Sequence, residues 1–202
     1  GRIHVLFNPV PEAFFQIRRE PDRRYFTVIG AGRLHSQKNF PLLIDAFDKA
    51  FGGIPEARLQ IYGAGGEQGR LAAHARSKQS AGRIQFMGRA EDMLPVYGKA
   101  DLFVLSSDYE GLPNALIEAM ASGAPCISTD CPTGPSELIR DGESGYLVPV
   151  GNAAKMAEAI KRVYDDRASA AQTGARARET IREKCSAGNI SERLIQICEH
   201  AD

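Results

Sequence analysis

Leu102-Phe-Val-Leu-Ser-Ser-Asp-Tyr-Glu-Gly-Leu-Pro-Asn-Ala-Leu-Ile-Glu118 reads as a strand, a loop and the start of a helix. Leu102–Ser106 is the short apolar strand. The helix runs from Asn114 to Ser122 in good helix formers and is stopped by Gly123. Pro113 suits the first helical position, where its missing N–H is not needed. On this reading the backbone N–H groups of Asn114 and Ala115 stay free at a positive helix end, which is an anion site. Glu110 lies in the loop and Glu118 one turn inside the helix. An anion site flanked by two carboxylates suits a ligand that carries both phosphate and hydroxyls, and a sugar nucleotide is such a ligand.

The same alternation extends in both directions. Apolar strands are expected at Tyr25–Gly30, Arg58–Tyr62, Ile84–Met87, Pro125–Thr129 and Gly145–Val148. Between them lie helices at Pro41–Phe51, about Glu67–Gln79, around Asp92–Gly98 and Ser136–Arg140. From Asn152 the chain reads as helix throughout, with Ala157, Ile160, Val163 and Tyr164 on one apolar stripe. Near-continuous apolar strands separated by helices predict a parallel sheet covered on both faces. Right-handed crossovers make it an α/β, doubly wound, Rossmann-like fold. Gly1–Val10 reads as a strand leading into a turn. It has no initial methionine, so an earlier segment is expected to precede it.

With 202 residues the chain is long enough for one large domain or two small ones. Its net charge is zero and its Lys and Arg residues are dispersed, so no broad nucleic-acid surface is implied. Cys126, Cys131, Cys185 and Cys198 lack the paired spacing of a zinc site and read as reduced thiols. No apolar run approaches the roughly 18 residues of a membrane span.

In a doubly wound sheet ligands bind beyond the carboxyl ends of the strands. Four marked loops fall there: Gly30–Lys38, Gly63–Gly66, Ser106–Asn114 and Thr129–Glu137. Gly30-Ala-Gly32 and Gly63-Ala-Gly65 fail the dinucleotide spacing, since His35 and Gln68 stand where a third glycine belongs. Arg33 and Lys38 share the first loop and can converge on one point, as a diphosphate requires, Arg by bidentate contact and Lys as a point charge. Glu118, between Ile117 and Ala119, is expected to be partly buried and hydrogen-bonded. His4, His35, His74 and His200 are scattered, with His35 a loop filler. Asp101, Asp108 and Asp130 each stand alone, so no metal site is expected.

Taken together, Gly32-Arg-Leu-His-Ser-Gln-Lys38-Asn, Gly63-Ala-Gly65, Phe86-Met-Gly88, Ala100-Asp-Leu-Phe-Val-Leu, Ser107 to Pro125 and Asp141-Gly-Glu-Ser-Gly145-Tyr-Leu-Val resemble the group 1 (family 4) retaining glycosyltransferases. The resemblance runs from about Phe7 to the final helix, and its core is Glu-x(7)-Glu enclosing Gly-x-Pro-Asn. It implies the C-terminal, sugar-nucleotide-binding half of a two-domain GT-B enzyme. Residues 1–20 would then be interdomain linker, 21–185 the Rossmann-like domain, and 186–202 a helix returning toward an N-terminal acceptor domain.

By the same resemblance Arg33 and Lys38 would neutralise the donor diphosphate, and the amides near Pro113, Asn114 and Ala115 would cap it. Glu118 would hold the ribose, and Glu110 the transferred sugar, with Gly111 allowing close approach. Gly32, Gly63 and Gly65 would border the donor, and the backbone at Met87, Gly88 and Arg89 would line the base. Arg33, Lys38 and Glu110 would carry the chemistry. No cofactor or divalent metal is expected. Cys131-Pro-Thr-Gly-Pro-Ser-Glu137 departs from the commoner Gly-Gly-x-x-Glu. It is similar to members that build lipid-linked and surface glycans from UDP-hexoses or UDP-N-acetylhexosamines. Such an enzyme would be cytoplasmic, at the inner face of the membrane. A GT-B sugar-nucleotide epimerase and a non-catalytic sugar-nucleotide-binding domain are the alternatives.

Overall fold

The computed structural model describes residues 6–199. Its centre is a six-stranded sheet, entirely parallel, in the order β3-β2-β1-β4-β5-β6. The strands are β1 (Phe26–Ala31), β2 (Ala57–Tyr62), β3 (Ile84–Gly88), β4 (Leu102–Leu105), β5 (Cys126–Thr129) and β6 (Tyr146–Val148). β1, β4 and β5 are buried along their whole length, as expected of central strands covered on both faces. β2 alternates instead, burying Leu59 and Ile61 while Arg58, Gln60 and Tyr62 are half-exposed. The chain builds outward from β1 to β3 and then returns to β4 on the other flank of β1. That reversal opens a crevice at the carboxyl ends of β1 and β4, the place where such sheets receive ligands.

One face is packed by α2 (Phe40–Phe51), α3 (Gln68–Arg76) and α7 (Ala153–Asp165). The other carries α4 (Leu94–Lys99), α5 (Asn114–Ala121) and α8 (Arg167–Cys185). α2 buries Phe40, Leu43, Ile44, Phe47 and Phe51 against β1 and β2. Of the expected stripe on α7, Ala157, Ile160 and Val163 are buried. Tyr164 sets its ring edge against Phe26 and Phe51, each 5.1 Å away. Asn152 and Asp166 cap α7 and α8 by accepting from the amides of Lys155 and Ser169, both at 3.0 Å. α6 (Pro135–Leu138) is a single turn, and α9 (Ala187–Glu199) buries none of its residues.

Two helices differ from expectation. α3 stops at Arg76 rather than near Gln79, because Asp48 draws the chain aside: its Oδ1 accepts from the Ser80 amide at 2.8 Å and the Ser80 hydroxyl at 2.7 Å. α1 (Glu12–Gln16), a short helix that buries Phe15, has no counterpart among the expected elements. The expected opening strand falls partly on residues 1–5, outside the described residues; residues 6–9 form no strand, and Val10 makes an isolated parallel bridge to Ser186.

The leading segment lies along α5 from end to end. Asn8 Nδ2 donates to Asn114 Oδ1 at 3.0 Å, and Arg19 donates to the carbonyl of Gly123 at 2.8 Å. Arg178 of α8 reaches the carbonyl of Ser122 at 2.5 Å. Two guanidinium groups thus meet the negative end of α5. All four cysteines are free, with Cys126, Cys131 and Cys185 buried. Among the described residues no helix is long and apolar enough to cross a membrane.

Candidate functional site at the carboxyl edge of the sheet

At the reversal of the sheet lies a cleft of about 380 Å³, lined by Gly32, Arg33, Gly63, Arg89, Tyr97 and Glu118 among others. Its outer wall is built by two loops in direct backbone contact. The Gly32 amide donates to the carbonyl of Tyr62 at 3.0 Å, and the Gly63 amide to that of Gly88 at 2.7 Å. Gly63 has φ of +138°, and a Cβ there would lie 1.8 Å from the Gly32 carbonyl oxygen. At Gly65 a Cβ would lie 2.3 Å from the Leu34 oxygen. These glycines are there because the loops after β1 and β2 have no space between them. Gly65 itself does not line the cleft. Neither does Met87, which is 44% exposed.

Arg33 stands exposed on the wall. Lys38 ends a short 3-10 turn, Ser36–Lys38, and lays its stem across Gly32, where a Cβ would come within 3.1 Å of Lys38 Cε. The Lys38 stem thus lies beside Gly32 and Arg33 lines the cleft, whereas Lys38 and Glu110 are not among the lining residues. Lys38, however, already has a partner: Nζ is 2.5 Å from Glu110 Oε1. The buried Ser107 hydroxyl donates to that same oxygen at 2.6 Å. The sequence reading gave Lys38 and Glu110 separate tasks, whereas the fold joins them.

The turn carrying Lys38 is latched to the loop carrying Glu110. Ser106 Oγ donates to the Lys38 carbonyl at 2.7 Å, the Asp108 amide to Gln37 at 2.9 Å, and Asn39 Nδ2 to Asp108 Oδ1 at 2.7 Å. On the far side Thr133 donates to the Glu110 carbonyl, and Thr129 Oγ1 to that of Ser107 at 2.5 Å. The Cys131–Glu137 loop thereby backs Glu110. Gly111 is exposed, with open space where its side chain would be.

The start of α5 corrects one expectation. Pro113 is the capping residue, at φ −81° and ψ 79°, and Asn114 is the first helical one. The Asn114 amide is not free, because it donates to the Leu112 carbonyl at 3.0 Å. Leu116 and Ile117 both donate to the Pro113 oxygen, at 2.9 and 3.1 Å. The Ala115 amide is thus the donor that this helix end can offer the cleft. The side chain of Asn114 turns to a smaller hollow of about 230 Å³, bordered by Asn8, Pro9, Ile117 and Glu118.

Glu118 stands between the two hollows. The hydroxyl of Tyr97, a fully buried ring, lies 3.0 Å from Glu118 Oε2 and 3.2 Å from the Ala115 carbonyl. Burial raises the affinity of the Glu118 carboxylate for its proton above the ordinary range, and the Tyr97 hydrogen bond opposes this in part. Burial, together with the nearby Glu118 charge, pushes the Tyr97 phenol well up. Neither Tyr97 nor Ser107 was singled out in the sequence. Tyr97 is the only aromatic residue in α4, the one available signal.

His35 serves its own loop, with Nδ1 accepting from the Gln37 amide at 3.3 Å. His74 pairs with Asp45 at 2.7 Å, away from the cleft. His4 and His200 lie outside the described residues. Asp101 accepts from the Thr27 amide at 2.8 Å. Among the described residues no group of three or more His, Cys, Asp or Glu gathers to hold a metal ion.

The sequence profile of the glycosyl transferases group 1 family matches residues 25–166. A lipopolysaccharide core biosynthesis glycosyltransferase, LpsE of Rhizobium meliloti, is 32% identical over 170 residues, covering 84% of this chain and 48% of that protein. An exopolysaccharide phosphotransferase of Streptomyces coelicolor is 34% identical over 179 residues, 88% of this chain but 19% of its own length. Among solved structures, a Staphylococcus aureus TarM variant in complex with fondaparinux, alpha-GlcNAc-glycerol and UDP superposes with a TM-score of 0.80 at 27% identity, over 89% of this chain and 37% of that one. The chain thus spans less than half the length of each of these proteins. It belongs to the group 1 glycosyl transferases.

Proposed function

We propose that this domain is the C-terminal, donor-binding half of a family 4 GT-B enzyme. In this reading the enzyme moves a sugar from UDP-hexose or UDP-N-acetylhexosamine to a lipid-linked or polysaccharide glycan, with retention of configuration, at the cytoplasmic face of a membrane. The observation that carries this reading is a cleft lined by Arg33, Ala115 at the start of α5 and the Glu118 carboxylate, with the Lys38–Glu110 pair adjoining its wall at Gly32. Cations and an amide suit a diphosphate, and the carboxylates suit hydroxyls. The names of LpsE and of the TarM complex support a UDP-sugar donor and a surface-glycan product.

In this mechanism Arg33 and Lys38 stabilise the negative charge on the departing nucleoside diphosphate, aided by the Ala115 amide. Glu118 accepts from the ribose hydroxyls, and Glu110 from a hydroxyl of the transferred sugar. The acceptor approaches the same face that the leaving group vacates. Fixed protein cations take the place of a divalent ion, so binding should persist in EDTA.

Calorimetric titration with UDP, GDP, ADP and uridine tests this. UDP should bind without metal, and Arg33→Ala should weaken it by about 1.5–3 kcal/mol, the range for hydrogen bonds to charged groups. Uridine, lacking phosphate, should bind the variant and the parent alike. Equal losses for both ligands would assign Arg33 to the fold instead.

A further inference from the structure

Lys38 is the better buried of the two cations assigned to the diphosphate, and its charge is already paired within the protein. Its ammonium is 2.5 Å from Glu110 Oε1, with the two side chains 18% and 5% exposed. A diphosphate that needs Lys38 must therefore compete with a carboxylate held within the same protein. Glu110 can be released without being stranded. Ser107 Oγ, fully buried, already donates to the same Oε1 at 2.6 Å and would keep that oxygen partnered. Ser107 is held in turn, since Thr129 Oγ1 donates to its carbonyl at 2.5 Å.

We infer that Glu110 is an internal competitor of the diphosphate for Lys38, and that Ser107 is the positioning residue that receives Glu110 when a diphosphate claims Lys38. This rests on the donor-site reading above and adds a consequence to it. Diphosphate binding and the freeing of Glu110 become one event, so the carboxylate turns toward the sugar only when the leaving group is seated. A site whose competent form is only partly populated binds with an affinity reduced by that fraction.

The test is a thermodynamic cycle on UDP and on inorganic pyrophosphate, which has phosphates but neither base nor ribose. Glu110→Gln preserves shape while removing the competitor, and it should tighten both ligands by about three- to tenfold. Lys38→Met keeps the stem over Gly32 and should weaken both. In the Lys38→Met background the gain from Glu110→Gln should vanish, because no ammonium remains to unmask. Ser107→Ala leaves Glu110 more dependent on Lys38 and should shift affinity in the opposite direction to Glu110→Gln. Circular dichroism and melting temperature confirm that each variant is folded.

UDP binding that Glu110→Gln leaves unchanged or weakens would overturn the masking while the donor site stands. A gain that survives in the Lys38→Met background would also overturn it, since simple repulsion between the carboxylate and phosphate would then suffice. A parent protein that binds neither UDP nor pyrophosphate would remove the donor-site reading, and the masking with it.

Discussion

Glu118 carries its charge where burial opposes it, and the hydrogen bond from Tyr97 offsets only part of that opposition. The folded state holds the Glu118 proton more tightly than the unfolded chain does. The unfolded carboxyl titrates near its ordinary value of 4.5, so below that pH both states are protonated and no penalty arises. As pH rises from 4.5 through the raised folded value, the penalty grows and then stays constant. Glu118→Gln should therefore raise the melting temperature at neutral pH, and the gain should shrink to nothing as the pH is taken below 4.5. The same variant should weaken UDP, because an amide accepts less well from a ribose diol. Thermal melts across this range, read beside titration, check both. A variant less stable than its parent at neutral pH would mean that the Tyr97 contact outweighs the desolvation. A gain in stability paired with a loss of UDP binding is the outcome expected of a residue retained for a ligand.

The turn before α2 depends on Asn39 in three ways. It adopts the left-handed conformation at φ 41°, the only positive φ at a non-glycine position among the described residues. Its side-chain oxygen accepts from the Leu42 amide at 3.3 Å, and its Nδ2 donates to Asp108 at 2.7 Å. Asn39→Ala removes cap and latch and leaves a Cβ in a strained conformation, so it should cost about 1–2 kcal/mol or more by urea denaturation. Asn39→Gly relieves the strain, and its loss should be smaller. Both should weaken UDP, since Lys38 rides on this turn. Much at this level was legible beforehand: every strand between Tyr25 and Val148 lies within a residue or so of its expected place, β1, β4 and β5 because burial on both faces leaves a continuous apolar run, β2 and β3 because they alternate. α1 was not legible, being too short to show a period. The end of α3 was hidden because Asp48 decides it from another helix.

At the scale of the whole molecule, the described leading segment reaches the core through Val10 and Phe15. Phe15 is 2% exposed and packs with Tyr97, Ile117 and Ile181 in the cluster beneath α5 and α8. Phe15→Ala should therefore destabilise by about 3–5 kcal/mol, as for other buried aromatics, and denaturant titration would show it. A loss under about 1 kcal/mol would mean that the segment is only laid on the surface. The site was less legible than the fold for a related reason. Its residue types were visible in four loops, but its pairings join positions far apart in sequence, such as Lys38 and Glu110, separated by 72 residues. Periodicity carries no information about such contacts, so Tyr97, Ser107 and Thr133 passed unnoticed. The parallel bridge between Val10 and Ser186 brings two distant parts of the chain side by side at one point, and Asn8, two residues from that bridge, touches the first residue of α5. Anything attached through these two segments would swing about a single pivot. Because Val10 borders the hollow that shares Glu118 with the cleft, a small rotation there would be felt first along α5 and least at the far edge of the sheet.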